Sequence, residues 1–413
     1  MNISRSTILL AVLLGACAAS PPPTRTEPSA PHRPTGPLRS RAELEAELSR
    51  AAEGDVERVW RRLRSTGEFP IVIEDTAFFF HRSSAQKVEW RGEFSSWDPS
   101  WDARGHQVGN TDLWRYERPL LPGSRLDYKI VTDGEWQLDP HNSRQQVGGF
   151  GPNSEARMPP FEDSPYIFRT PDTPQGSFTA NLPIESTALG YTVNVRIYLP
   201  PGLAPDARDL PVLFVTDGSD YYRDEMGATV IILDRLYQEE MIEPVVVVFV
   251  DPWDPEGKKN RRETELIPEG PGRCRFCSFL VDELGPWVSE RYPVTADPAR
   301  RAIVGTSLGG LFTTYVGLYH PDHFGLIGIQ SPAYHVYSAR FIFTALLDAD
   351  AFPPKAFLDV GLYERRYTRN SQRAAKRLEE LGTELLYIEA PQGHSWGHWR
   401  HYMDDMLIHF FGR

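Results

Sequence analysis

Residues 302–316, AIVGTSLGGLFTTYV, set Gly305, Gly309 and Gly310 around Ser307, between one apolar run and the start of another. Arg301–Val304 has the short, apolar, β-branched character of a strand, and Leu308–Tyr319 has that of a helix. Ser307 therefore falls in the turn where a strand passes into a helix. Such a turn crowds backbone against backbone, and Gly305 and Gly309 remove Cβ atoms that would clash. A serine displayed there has an accessible hydroxyl. The first N–H groups of the following helix lack an intrahelical acceptor, and that of Leu308 stands next to it. A nucleophilic serine needs this pairing, because charge develops on the carbonyl oxygen that it attacks. Gly-x-Ser-x-Gly by itself is weak, since chance supplies it in about one chain in seven of this length. The strand before it and the helix after it give it weight.

Working outward, strands and helices alternate from Gly176 onward. Strand-type runs are TVNVRIYLP, LPVLFVTDG, EPVVVVFVD, FGLIGIQSPA, AFLDVGLYE and ELLYIEAP. Helical patterns pass through GATVIILDRLYQEEM, SFLVDELGPWVSERY, RNSQRAAKRLEELG and HYMDDMLIHFF. Val245–Val250 is apolar on both faces, as in strands buried between two helix layers. The pattern predicts a doubly wound, mostly parallel α/β domain over residues 176–413.

At 413 residues the chain is too long for one ordinary core. Its 40% hydrophobic and 24% charged content is that of a globular protein. A net charge of −12, spread along the chain, argues against nucleic acid or an anionic membrane surface as the main partner. The N-terminus, MNISRSTILLAVLLGACAAS, has an apolar run Ile8–Leu14 too short to span a bilayer, which reads as a signal-peptide core. LLGAC resembles the lipobox of bacterial lipoproteins. That resemblance implies a signal peptide over 1–17, lipidation at Cys17 and, from Ala18, sorting to the outer membrane. Residues 18–38 form a Pro/Ser-rich spacer unable to bury a core. The expected location is outside the cytoplasm, in the periplasm or anchored to the outer membrane, with membrane contact through the lipid alone. Cys274 and Cys277 stand in GRCRFCSF without a second Cys or His pair at zinc spacing. In an exported chain such a pair is most simply a local disulfide.

Residues 39–69 carry a charged helical pattern with a thin apolar stripe, Leu44, Leu48, Val56, Val59 and Leu63, read as a surface helix pair. Residues 70–157 change to short β-type runs separated by turn residues, which predicts a small immunoglobulin-like β-sandwich. A Pro-containing connector, 158–175, follows. RGEFSSWDP, LDYKIVTDGEW, DPHN and GPNSEA resemble the glycogen-binding-type early-set modules of starch and glycogen enzymes. The resemblance implies a carbohydrate platform at Trp97, Lys129 and Trp136. Packing in the core or between domains is the plainer use of two tryptophans and is favoured here.

The strand–Gly-x-Ser-x-Gly–helix passage resembles the nucleophile elbow of α/β-hydrolases, whose catalytic groups follow the chain order Ser, acid, His. That order and its place after the last strand, in EAPQGHSWGHWRHY, select His394 as the base. His398 and His401 fall in or near the closing helix, His409 lies close to the C-terminus, and His320 and His323 precede the acid. Glu364, at the end of the run AFLDVGLYE, is the expected acid, with Asp359 in reserve; its plainer use is an ion pair with Arg365 or Arg366. Gly218, after VLFVTDG, is the expected second oxyanion donor beside Leu308, and Tyr221 and Tyr222 are expected to line the pocket. RIYLP, VLFVTDG, GTSLGG, DVGLYE and GHSWGHWR resemble the esterase family that includes esterase D (S-formylglutathione hydrolase), enterochelin, feruloyl and acetyl-xylan esterases and mycolyltransferases. GHSWGHWR and RRETEL are nearest to the enterochelin-esterase branch, which implies that Arg262 borders the substrate; an ion pair with Glu265 explains Arg262 equally well. The resemblance implies hydrolysis of a small-molecule or glycan-linked ester through an acyl-enzyme, with no metal or organic cofactor. The alternatives are a polysaccharide-directed feruloyl or acetyl-xylan-type esterase and a non-catalytic carbohydrate-binding lipoprotein.

Overall fold

A nine-stranded sheet fills the C-terminal part of the chain. Its order is Ser177–Phe178, Tyr191–Leu199, Val246–Val250, Val212–Val215, Arg301–Thr306, Leu326–Gln330, Lys355–Gly361, Glu384–Ala390, with Leu182–Ser186 also paired to Tyr191–Leu199. The six strands from Val246–Val250 to Glu384–Ala390 run parallel, and the strands on the other side pair antiparallel. The computed structural model describes residues 38–67 and 69–413, so Cys17, the signal segment and the spacer up to residue 37 lie outside the described residues.

Alternate residues of the central strands divide between two cores. Phe214, Val248, Ile303 and Leu358 enter one. Leu213, Val247, Val304 and Phe357 enter the other. Both faces are thus covered, as a parallel sheet of Val and Ile requires. The chain leaves Val212–Val215 for Val246–Val250 on one side, then crosses back to Arg301–Thr306 on the other. Adjacent strands diverge at that switch, which opens a crevice at their carboxyl ends. Ser307 lies at the end of one and Asp217–Gly218 at the end of the other. The α/β-hydrolase-like architecture expected from residues 176–413 is present.

Residues 70–157 form two antiparallel sheets. One orders Ile71–Ile73, Thr76–Arg82, Leu113–Pro119 and His106–Gln107; the other orders Val88–Gly92, Arg125–Thr132, Gly151–Arg157 and Gln145–Gly148, with Glu135–Gln137 beside Arg125–Thr132. Phe79, Trp90, Tyr116 and Tyr128 fill the space between them, and Trp90 stacks on Tyr116 at 6.0 Å. Leu44, Leu48, Val59 and Leu63 of the helices Arg41–Arg50 and Val56–Arg64 are buried against Phe78, Phe80 and Leu113. The helical lead-in is therefore a third layer of the sandwich rather than a surface pair. Leu38, placed in the spacer by composition, is buried in the same cluster.

Residues 158–175 are laid along the α/β region. Asp234, fully buried, accepts hydrogen bonds from Arg169 Nη1 (2.6 Å), the Gly176 N–H (2.9 Å) and Tyr198 Oη (2.7 Å). Removing that carboxylate leaves the Tyr198 hydroxyl buried without its acceptor. Asp234→Ala is expected to cost about 3 kcal/mol in urea denaturation and to expose the connector to limited proteolysis. An unchanged midpoint would show that the latch contributes nothing.

Candidate active site

Ser307 has φ 60° and ψ −110°, an unfavourable backbone for a residue with a Cβ. Hydrogen bonds hold it there: its N–H donates to the Gln330 carbonyl (2.8 Å), and its carbonyl accepts from the Ala333 N–H (2.9 Å). The turn admits no extra atoms. A Cβ on Gly305 would lie 2.5 Å from Thr216 Oγ1, and one on Gly309 would lie 2.8 Å from the same atom. The helix Leu308–Tyr319 begins directly after the serine, which leaves the Leu308 N–H without an intrahelical acceptor. Gly218 likewise opens a short helix, Gly218–Tyr222, on the adjacent strand's end.

His394 Nε2 lies 2.9 Å from Ser307 Oγ, and His394 Nδ1 lies 2.5 Å from Glu364 Oε2. The other oxygen of Glu364 accepts from the Gly361 N–H and Ser331 Oγ, both at 2.7 Å. Burial alone would raise the Glu364 carboxyl, but the charge and hydrogen bond of His394, with Ser331, outweigh it and hold it below its ordinary value. Glu364 faces His394, as expected of the acid, and the plainer ion pair with Arg365 or Arg366 is not formed. Asp359, the reserve acid, points into the core, where it accepts from Gln330 Nε2 (2.8 Å) and the Ser331 N–H (3.1 Å) and lies 3.4 Å from the buried His398. His401 faces the Ser164 N–H, His409 faces the Ala356 carbonyl, and His320 and His323 face each other.

Several residues stand apart from their expected roles. Tyr221 is fully buried, edge-on to Trp396, with its hydroxyl donating to Gln330 Oε1 (2.8 Å). Tyr222 packs with Phe178 and Phe249 and under Arg196. Neither lines the cleft. Arg262 pairs with Asp217 (2.7 Å) and donates to the Thr306 carbonyl (2.9 Å); Glu265 instead accepts from Tyr191 Oη (2.9 Å). Arg262 thus braces the elbow strand against the neighbouring loop. Trp136 is 50% exposed and Trp97 half-buried, with their rings 6.2 Å apart. The core-packing use favoured from sequence does not hold for Trp136. Lys129 is half-buried on the strand next to Trp136. Cys274 and Cys277 are joined in a disulfide.

Two contributors carry no motif. Tyr367, one helical turn after Glu364, packs on His394 with ring centroids 4.3 Å apart, on the same side as Ser307. Burial and the Glu364 charge push its hydroxyl up to about 12, so it remains a donor. Ser331 accepts from Trp399 Nε1 (3.0 Å) while donating to Glu364. The only sequence hint for Tyr367 is its i+3 spacing from Glu364. The cleft beside His394 measures about 470 Å³, with Trp97 and Trp101 from the sandwich facing Arg365, Arg366 and Tyr367.

The Esterase family model matches residues 186–410. The iron(III) salmochelin esterase of Escherichia coli O6:H1 is 24% identical over 303 residues, 68% of this chain and 70% of that protein. An endo-1,4-beta-xylanase/feruloyl esterase of Xylanibacter ruminicola is 25% identical over 321 residues, 75% of this chain but only 40% of that longer protein. The crystal structure of ferric enterobactin esterase from Salmonella typhimurium has the same fold, with a TM-score of 0.67 at 21% identity, covering 81% of this chain and 93% of that one.

Ser331→Ala removes one donor to Glu364 and strands Trp399 Nε1. It is expected to lower kcat/KM on an activated ester about tenfold. The lost donor removes one of the interactions that hold the Glu364 carboxyl below its ordinary value, so the acid limb of the pH–rate profile moves to higher pH. An unmoved limb would refute that support role.

Proposed function

The chain belongs to the Esterase family and is an esterase, and from that premise we propose that Ser307, His394 and Glu364 form its catalytic triad. The unbroken hydrogen-bonded series from Glu364 through His394 to Ser307 at a strained elbow carries this proposal. His394 Nε2 takes the proton of Ser307 Oγ as the oxygen attacks the ester carbonyl. Glu364 keeps the imidazole oriented and stabilises the imidazolium. Leu308 and Gly218 N–H groups receive the developing oxyanion, and the Tyr367 ring packs against the base. His394 then protonates the leaving alkoxide, and water releases the acyl group by the reverse sequence.

The substrate proposed is an ester of an aromatic, negatively charged acid, as in the enterochelin type. Flat indole faces and guanidinium groups meet in the cleft, and Arg365 already lies 4.0 Å over the Trp101 ring. The similarity to an iron(III) salmochelin esterase supports the enterochelin-type reading. A polysaccharide-directed esterase is the second reading, supported by the exposed Trp136, whose ring lies 6.2 Å from that of the cleft-lining Trp97. In either case the sandwich is proposed to be of the early-set, immunoglobulin-like type. Export and lipidation at Cys17 are proposed from the leader and LLGAC. The triad geometry supports catalysis over a purely carbohydrate-binding role.

Pre-steady-state release of p-nitrophenol from a short-chain acyl ester is expected to show a burst, and Ser307→Ala to lose at least about a thousandfold in rate. Equal rates for the two proteins would overturn the triad. Trp136→Ala is expected to leave binding to insoluble polysaccharide unchanged if the substrate is a free aromatic ester; lost binding would favour the second reading.

A further inference from the structure

The loops bearing His394 and Glu364 are not held by the α/β region alone. The first residue of the strand Arg125–Thr132 forms a backbone bridge to Gln392. Glu93, in the turn after Val88–Gly92, lies directly on Gly393: a Cβ there would fall inside its carboxyl group. Glu93 Oε2 also accepts from the Asp127 N–H at 2.8 Å, which fixes the carboxyl to the sandwich. Arg125 Nη1 donates to Ser395 Oγ at 3.1 Å, and its guanidinium occupies the space a Cβ of Gly397 would need. On the acid side, Tyr363 Oη accepts from the Leu121 N–H at 2.8 Å, and the Tyr363 N–H donates to the Gln392 carbonyl at 3.1 Å. The Ser307 backbone, by contrast, bonds to Gln330, Ala333 and Leu311.

We infer that the sandwich is a positioning part of the catalytic unit, with Glu93 as the residue that sets the height of the His394 loop. The inference rests on the triad proposed above. Glu93 packs on the backbone one residue before the base, so displacing it shifts His394 relative to Ser307. A shift of about 1 Å is enough to cost on the order of a hundredfold in rate. Glu93 acts by shape and by one hydrogen bond rather than by charge. Full burial and the neighbouring Asp127 push its carboxyl well above the ordinary range, against the opposing pull of Arg125. Gln in its place therefore keeps both volume and acceptor.

The test is kcat per burst-titrated site on p-nitrophenyl acetate, for the full chain. Glu93→Ala is expected to lower kcat about tenfold or more with KM within about twofold, and Glu93→Gln to stay near wild type. Gly393→Ala is expected to be strongly impaired, and Glu93→Ala/Gly393→Ala to recover about tenfold over it, because the new methyl enters the vacated space. Wild-type kcat in either Glu93→Ala or Gly393→Ala would overturn the positioning role, as would a double variant no better than Gly393→Ala. If Glu93→Ala does not fold, Gly393→Ala alone decides. Absence of a burst in the wild-type protein would instead defeat the triad, so the two failures are separable.

Discussion

The strained backbone at Ser307 is the constraint around which the α/β region is arranged. A side chain held at φ 60° and ψ −110° costs about 1–3 kcal/mol and persists only when its surroundings over-determine it. Gln330 supplies the main restraint through its carbonyl, and its side chain is fastened in turn by Tyr221 Oη, Asp359 Oδ2 and the Trp399 carbonyl. Ser331, the next residue, continues the network to Glu364. Nucleophile and acid are thus tied to one buried dipeptide at the end of Leu326–Gln330.

This network explains which parts of the molecule were legible in the sequence. The elbow was legible because its requirements are local: small residues at fixed offsets, a strand before and a helix after. His394 and Glu364 followed from chain order and from loops next to recognisable strands. Tyr221 and Asp359 looked like site residues for the same positional reasons, yet they act one layer behind it. Their side chains leave the main chain toward the core, a direction that no linear spacing encodes without the pairing of neighbouring strands. Arg262 was weighed against Glu265, three residues away, while its actual partner Asp217 is 45 residues distant. Tyr367 and Ser331 had no motif to announce them.

The sandwich was readable as short strands and turns, but its relation to the cleft was not. Arg125 is 1% exposed and binds Asp127 (2.7 Å) and Glu155 (2.7 Å). Burial alone would weaken its charge, and the two carboxylates outweigh that, so the guanidinium stays ionised. Such a group is costly to bury unless nearly every donor is met. Here the remaining nitrogen, Nη1, donates to Ser395, in the loop that carries His394. In sequence Arg125 is one more charged residue in an antiparallel strand, and nothing near it in the chain points to Ser395.

That same contact has a consequence for how the chain is made. Arg125 and Ser395 are separated by 270 residues. At translation rates of about 5–20 residues per second, a sandwich that folds as it emerges waits about 15–50 s for the loop that covers it. An apolar docking face would spend that interval exposed and prone to aggregate. A face built from Arg125, Asp127, Glu155 and Glu93 remains hydrated while it waits, and sheds its water when the C-terminal strands arrive. The polar character of this junction lets a slow, long-range assembly stay soluble until its two halves meet.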